Sequence, residues 1–206
     1  MWTDYAAVAA GYGLGCFTAG YYWVRWRTGR DIRDQGSGGV GARNVGRALG
    51  PAGFVLVFLL DFAKGALAVT VARGLEAGPV VLVATVVAVV AGHLWPVQLR
   101  FRGGKGISVS LGALAFYDGA LALVLAGLFL AVWAVWRRFT PSGLVAFGLL
   151  PLASLAWRGP GIETLGVLVL AVLIAGAHRD HLRQEIARLR TGRFVKEKSV
   201  DTGNRL

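Results

Sequence analysis

Long apolar runs broken by short stretches rich in arginine and glycine leave this chain very few ways to fold. The runs lie near residues 5–24, 51–72, 79–97, 106–117, 119–136, 143–157 and 162–177. Roughly 20 apolar residues of helix are needed to cross a bilayer. Residues 106–117 are too short to cross alone and are expected to tilt, re-enter or be buried by their neighbours; the last two runs are also short for a straight span. Backbone polar groups in hydrocarbon must be satisfied internally. The pattern therefore predicts an all-α membrane protein, a bundle of about seven transmembrane or part-spanning helices. With 55% of 206 residues hydrophobic, the chain is too apolar for a soluble domain of its length. No basic region precedes residues 5–24, so this run reads as a retained span rather than a cleaved signal.

The cations set the orientation. With the N-terminus outside, residues 25–50, 98–105, 137–142 and 178–206 hold 19 of the 22 Lys and Arg, while Asp4, Glu76, Asp118 and Glu163 fall in the opposite turns. Positively charged loops stay cytosolic, which predicts an outside N-terminus and a cytosolic C-terminus in a bacterial cytoplasmic (inner) membrane. The net charge of +11 is thereby explained by topology, and no nucleic-acid partner is expected. Residues 1–193 read as one integral-membrane domain. Leu182, Ile186 and Leu189 recur at helical spacing among cations, as in a helix lying on anionic lipid. Residues 194–206 are polar and expected to form a disordered cytosolic tail. One cysteine, Cys16, excludes a disulfide framework, and three histidines without a carboxylate cluster give no metal site. No cofactor is called for, and a monomer or weak oligomer is expected.

Two loops carry candidate chemistry. In the first, spanning 31–47, Gly36, Gly38, Gly39 and Gly41 let the backbone form a concave nest of N–H donors; Ser37, Asn44, Arg43 and Arg47 add side-chain donors. Such a set suits phosphate through amides and bidentate guanidinium contacts; a flexible linker with incidental arginines is the plain alternative. In the second, Gly103, Gly104 and Gly106 flank Lys105 just before an apolar segment, as in an anion cradle at a helix N-terminus. The spacing is not that of a Walker loop. His93 precedes this loop; taken alone it would be an interfacial histidine. Asp61 and Lys64, three apart within a span, share a face and are expected to point into the bundle, either paired for packing or acting directly. His178, at the end of the last run, re-enters water facing the loops and is suited to proton transfer. The 137–142 turn adds Arg137, Arg138, Thr140 and Ser142 to the same side.

Together these motifs resemble those of the bacterial membrane acyl-phosphate:glycerol-3-phosphate acyltransferase family (PlsY). The first motif resembles Gly36-Ser-Gly-x-Val-Gly-Ala-x-Asn44 with Arg47 following. The second resembles Gly92-His93, Pro96 and Phe101-Arg-Gly-Gly-Lys-Gly106. Asp61-Phe-Ala-Lys-Gly65 and His178-Arg-Asp180 fall in family order, and the likeness runs over most of residues 10–192. The resemblance implies transfer of a fatty acyl chain from acyl phosphate to the 1-hydroxyl of glycerol 3-phosphate, giving lysophosphatidic acid for phospholipid synthesis. It implies catalytic positions at His178, Ser37 and Lys105. Phosphate-binding positions would be Arg47, Gly36, Gly38, Gly41, Asn44, Gly103, Gly104, Gly106 and His93, with Asp61, Lys64, Arg43 and Ser142 in support. Four places depart from the family pattern: Gly39 stands for Asn, Arg43 for Thr, Thr140-Pro-Ser142 for a serine-rich stretch, and His181 for Asn. Rival readings are a transporter or binding protein for phosphorylated metabolites, and an inactive paralogue. Thioester-dependent acyltransferases are set aside because neither His93 nor His178 has an Asp five residues on.

Overall fold

A computed structural model describes residues 1–183 and Ala187. Among these, all regular structure is helical: α1 (Trp2–Cys16), α2 (Ala19–Thr28), α3 (Ala42–Gly74), α4 (Pro79–Leu94), α5 (Ile107–Tyr117), α6 (Gly119–Trp136), α7 (Phe139–Arg158) and α8 (Ile162–Ala177). Four of them are long and apolar enough to cross a membrane: α3, α4 with the short turn after it, α6 and α7. As the run length implied, α5 has only 11 residues, about 16 Å of helix. Residues 179–183 and Ala187 are helical too, but Ile186 and Leu189 of the expected amphipathic stretch and the tail at 194–206 lie outside the described residues.

The surface is inverted relative to a soluble protein. On α6 only Leu121, Ala122 and Leu125 are buried, while Leu123 is 75% and Val135 78% exposed. Such an outer face is stable only against lipid. The core forms where Val86, Val89 and Val90 of α4, Val109 and Leu114 of α5, Leu150 of α7 and Leu170 and Ile174 of α8 interlock.

Lipid tails offer no hydrophobic drive for helices to associate, so close backbone contact must supply the packing. Two glycine crossings do this. A methyl at Gly15 of α1 would lie 2.2 Å from the Val89 carbonyl oxygen on α4, and one at Gly92 the same distance from that of Tyr12. A methyl at Gly65 of α3 would lie 2.2 Å from the Val109 oxygen, and one at Gly112 of α5 2.0 Å from that of Phe62. The second crossing holds the short α5 inside the bundle.

Two expectations need correcting. The first apolar run is not one helix: it breaks at Phe17 and Thr18, where the chain turns extended before α2 begins. The break is tolerated because its freed carbonyls find donors. Lys64 Nζ donates to Gly15 and Phe17, and the Gln98 side-chain amide donates to Cys16. The first glycine loop is also shorter than expected. Helix α3 starts at Ala42 and kinks at Gly50, φ +77°, just before Pro51. Arg43, Asn44 and Arg47 thus ride on the first turns of a helix rather than on a loop. Arg43, Asn44 and Arg47 together with Gly46 and Gly50 masked the helix, although Ala42, Val45 and Leu49 recur at i, i+3, i+7 and pack inward.

Candidate active site

The loops at 29–41 and 95–106, the 137–138 turn and the C-terminus of α8 meet at one end of the bundle. They enclose an outer cleft of about 1000 Å³ that leads to an inner chamber of about 100 Å³. Ser37, Gly39, Arg43, Arg47, Lys105, Phe139, Thr140 and His178 border both spaces. Deeper in, Phe54, Phe58 and Ile107 make the wall apolar. The site is therefore a cationic ring between a polar mouth and a greasy interior.

The first loop owes its shape to Asn44. Its Nδ2 donates to the carbonyls of Ile32 (3.2 Å), Gln35 (3.0 Å) and Gly39 (2.9 Å), and its Oδ1 accepts the Ser37 N–H at 3.0 Å. Asn44 is 2% exposed and fully engaged. It frames the loop instead of offering its amide to phosphate, which revises the reading from sequence. Gly36 is obligatory beside it: φ is +56°, and a methyl there would overlap Asn44 Oδ1. That same position lies 3.4 Å from Arg47 Nη1, placing the guanidinium beneath the turn. Ser37 is exposed at its tip.

Arg33, which the sequence did not single out, locks the two loops together. Its guanidinium grips the Asp31 carboxylate (2.6 and 3.0 Å), donates to the Leu99 carbonyl (3.0 Å) and stacks on Tyr21. The Arg33 hydrogen bonds hold the Asp31 carboxyl below its usual range. The one hint was the Asp-x-Arg spacing, indistinguishable in sequence from other topology-setting arginines.

In the second loop, the Gly103 N–H donates to Leu94 (3.0 Å) and the Gly104 N–H to His93 (2.9 Å), after which Gly106, φ +83°, opens α5. Lys105 is half-buried. Desolvation first, then the nearby Arg47 and Arg43 charges, push its ammonium below its ordinary pKa, with Asp180 opposing. A cation under that pressure gains from an anion entering beside it. The N-termini of α3 and α5 both border the cleft, and their partial positive charge adds to it.

His178 caps α8 and is 3% exposed. Its Nδ1 lies 2.8 Å from the Ile174 carbonyl, which can only accept, so the neutral ring keeps its lone pair on Nε2. Burial pushes its pKa down to about 4, against the Ile174 hydrogen bond and assisted by the Lys105 charge.

Other candidates lie beneath the cleft mouth or turn away from it, and for Asp61 and Lys64 the paired alternative of the sequence reading holds. His93 is 2% exposed; Nδ1 takes a hydrogen bond from Lys64 at 2.8 Å, and its ring packs on Gly104, so it supports the loop. Asp61 and Lys64 pair at 2.9 Å deep in α3. Ser142 Oγ is spent on the Arg138 carbonyl, one turn back in α7 (2.8 Å). Thr140, not Ser142, borders the cleft, where it receives a hydrogen bond from Arg43, whose guanidinium also lies over Phe139. The positions that depart from the family pattern, Gly39, Arg43, Thr140 and His181, all line the outer cleft.

Residues 5–191 match the family model described as glycerol-3-phosphate acyltransferase. The chain is 43% identical over 182 residues to glycerol-3-phosphate acyltransferase 1 of Desulfitobacterium hafniense, covering 88% of this chain and 90% of that one. It is 37% identical over 180 residues to the glycerol-3-phosphate acyltransferase of a Synechococcus species, covering 87% and 89%. Crystal structures of PlsY (YgiH), an integral membrane glycerol 3-phosphate acyltransferase, superpose with TM-scores of 0.81 for the glycerol 3-phosphate form and 0.78 for the lysophosphatidic acid form. Sequence identities are 34% and 32%, and the match covers 92% of this chain and 93% of each of those. With its helical bundle, its cationic cleft and these matches in agreement, the chain belongs to the glycerol-3-phosphate acyltransferase family.

Proposed function

We propose that this chain transfers a fatty acyl group from acyl phosphate to the 1-hydroxyl of glycerol 3-phosphate, yielding lysophosphatidic acid and phosphate. The observation that carries the reading is the ring of Arg47, Lys105, Ser37 and His178 between a polar mouth and an aromatic-lined chamber. That arrangement suits two phosphates meeting a fatty chain. Acyl phosphate is already activated, so no covalent enzyme intermediate is required, and catalysis is chiefly alignment of two anions. Arg47, Lys105 and the Ser37 hydroxyl hold the phosphates; the Ser37, Gly38, Gly103 and Gly104 amides, expected from sequence to serve them, are spent within the loops. Neutral His178 accepts a hydrogen bond from the glycerol hydroxyl at Nε2. The hydroxyl oxygen attacks the acyl carbon, the ester C–O bond forms, the bond to the phosphate oxygen breaks, and phosphate leaves. His178 Nε2 or an oxygen of a substrate phosphate takes the hydroxyl proton.

The same end of the bundle holds most of the cations, so the positive-inside rule supports a cleft open to the cytosol of a bacterial inner membrane, with the N-terminus outside. A monomer or weak oligomer goes with this reading. Purified protein in detergent, given palmitoyl phosphate, should release phosphate only when glycerol 3-phosphate is present and should form the lyso-lipid in equal amount. Release that ignores the acceptor, or flux of glycerol 3-phosphate into proteoliposomes without acylation, would reject the reading.

A further inference from the structure

The Asp61–Lys64–His93 cluster stays out of the cleft mouth, with Asp61 and His93 lining the inner chamber below it, and its bonds run from the break in the first span to the base of the second phosphate loop. Lys64 Nζ, on a residue 5% exposed, has four acceptors: Asp61 Oδ1 at 2.9 Å, Phe17 O at 2.7 Å, Gly15 O at 3.2 Å and His93 Nδ1 at 2.8 Å. An ammonium has three hydrogens, so it is saturated and has nothing left for a ligand. An ion pair serving only to neutralise Asp61 would be complete within α3, because the two residues are one turn apart. Instead Lys64 reaches α1 through carbonyls that are free only because α1 ends there, and α4 through a ring nitrogen.

That last bond fixes the histidine. Nδ1 must carry the lone pair that Lys64 meets, leaving the hydrogen on Nε2. The Nε2 edge lies against Gly104, where an added methyl would come within 2.0 Å of it. The His93 carbonyl also accepts the Gly104 N–H. The residue before Lys105 is therefore held to His93 by both its side-chain face and its backbone.

We propose that Lys64 is a positioning residue for the Gly103–Lys105 phosphate cradle. Tied to the broken end of α1 and to Asp61, it sets the orientation of the His93 ring, and the ring sets the height of the loop that presents Lys105. The proposal rests on reading this loop as a phosphate cradle. Groups that orient the groups touching a ligand commonly matter at the level of 10–100-fold.

The test uses full-length protein in detergent, with inorganic phosphate as probe. Asp61→Asn combined with Lys64→Met removes both charges together and leaves no lone buried ion. His93→Asn keeps an acceptor for Lys64 but removes the edge that meets Gly104. In each variant the expected result is a phosphate Kd, read from the ligand-dependent rise in melting temperature, weakened about tenfold. KM for glycerol 3-phosphate should rise in parallel, with a smaller change in kcat. Wild-type phosphate affinity in either folded variant would overturn the proposal and leave the cluster a packing device. If wild-type protein acylates glycerol 3-phosphate but shows no phosphate binding at all, the cradle assignment fails instead. If the double variant does not fold, His93→Asn decides alone.

Discussion

Two regions of this molecule gather charge beside glycines, and they do opposite things with it. In the bundle interior, Asp61 and Lys64 pair at 2.9 Å, the remaining ammonium hydrogens go to carbonyls and to His93, and the ammonium is saturated even though Asp61 and His93 also line the inner chamber. At the loop-rich end, Arg43, Arg47, Arg137, Arg138 and Lys105 border one cleft with Asp180 as its carboxylate among the described residues. The first region balances its charge internally, as buried ions must. The second leaves positive charge in excess at a site open to solvent, where an anion can complete it. Identical residue types thus serve cohesion in one place and recognition in the other, and partner accounting is what separates them.

The contrast should show as a split between stability and turnover. Lys64→Met leaves Asp61 buried without its partner and should cost about 3–5 kcal/mol of stability, seen as a large fall in melting temperature. A melting temperature near wild type would mean that the interior charges are not paired in the way described. Lys105→Ala, in the open region, should leave melting nearly unchanged. It should lower kcat/KM by about 100-fold or more, the scale of losing one preorganised charge, and unchanged kinetics would remove Lys105 from the site.

The pH response of His178 gives a smaller effect. Its pKa is lowered in the folded protein to about 4, so the unfolded chain binds more protons between about 6.5 and 4. This contribution to stability is fully present above pH 6.5 and is lost as pH falls towards 4. His178→Gln should flatten the slope of melting temperature across that window; an unaltered slope would place the titrating group elsewhere. The smallest change is expected from Arg43→Thr. It removes a hydrogen bond to Thr140 and a contact with the Phe139 ring 5.7 Å away, together worth about 1–2 kcal/mol. A loss of activity beyond about tenfold would promote Arg43 from the wall of the cleft to direct contact with substrate.

Helices α4, α6 and much of α3 were legible because unbroken apolar runs can do little else in a bilayer. The glycine loops were visible as clustered glycines beside fixed cations, although a flexible linker would show the same pattern. Less visible was the division of labour within them. Asn44 reads in sequence as one more phosphate donor, and only the fold shows its amide consumed by Ile32, Gln35 and Gly39. Arg33 looks like any other positive-inside residue until Leu99 and Asp31 are found at its ends. Between Thr140 and Ser142 the sequence offers no choice; helix phase does, turning Ser142 back onto Arg138.

The order of residues by itself determined that this chain lives in a membrane, that it is helical, and that its cations, with two glycine-rich loops, are concentrated on one side of it. Those properties follow from local hydropathy and charge, which need no knowledge of neighbours. Tertiary structure alone decided that the first span breaks, that Lys64 bridges α1, α3 and α4, and which donors stay available for an anion. Hydrogen-bond capacity is exhausted by whichever partners lie within about 3 Å, and residues 47 apart in the chain, such as Phe17 and Lys64, become partners only once the helices have packed.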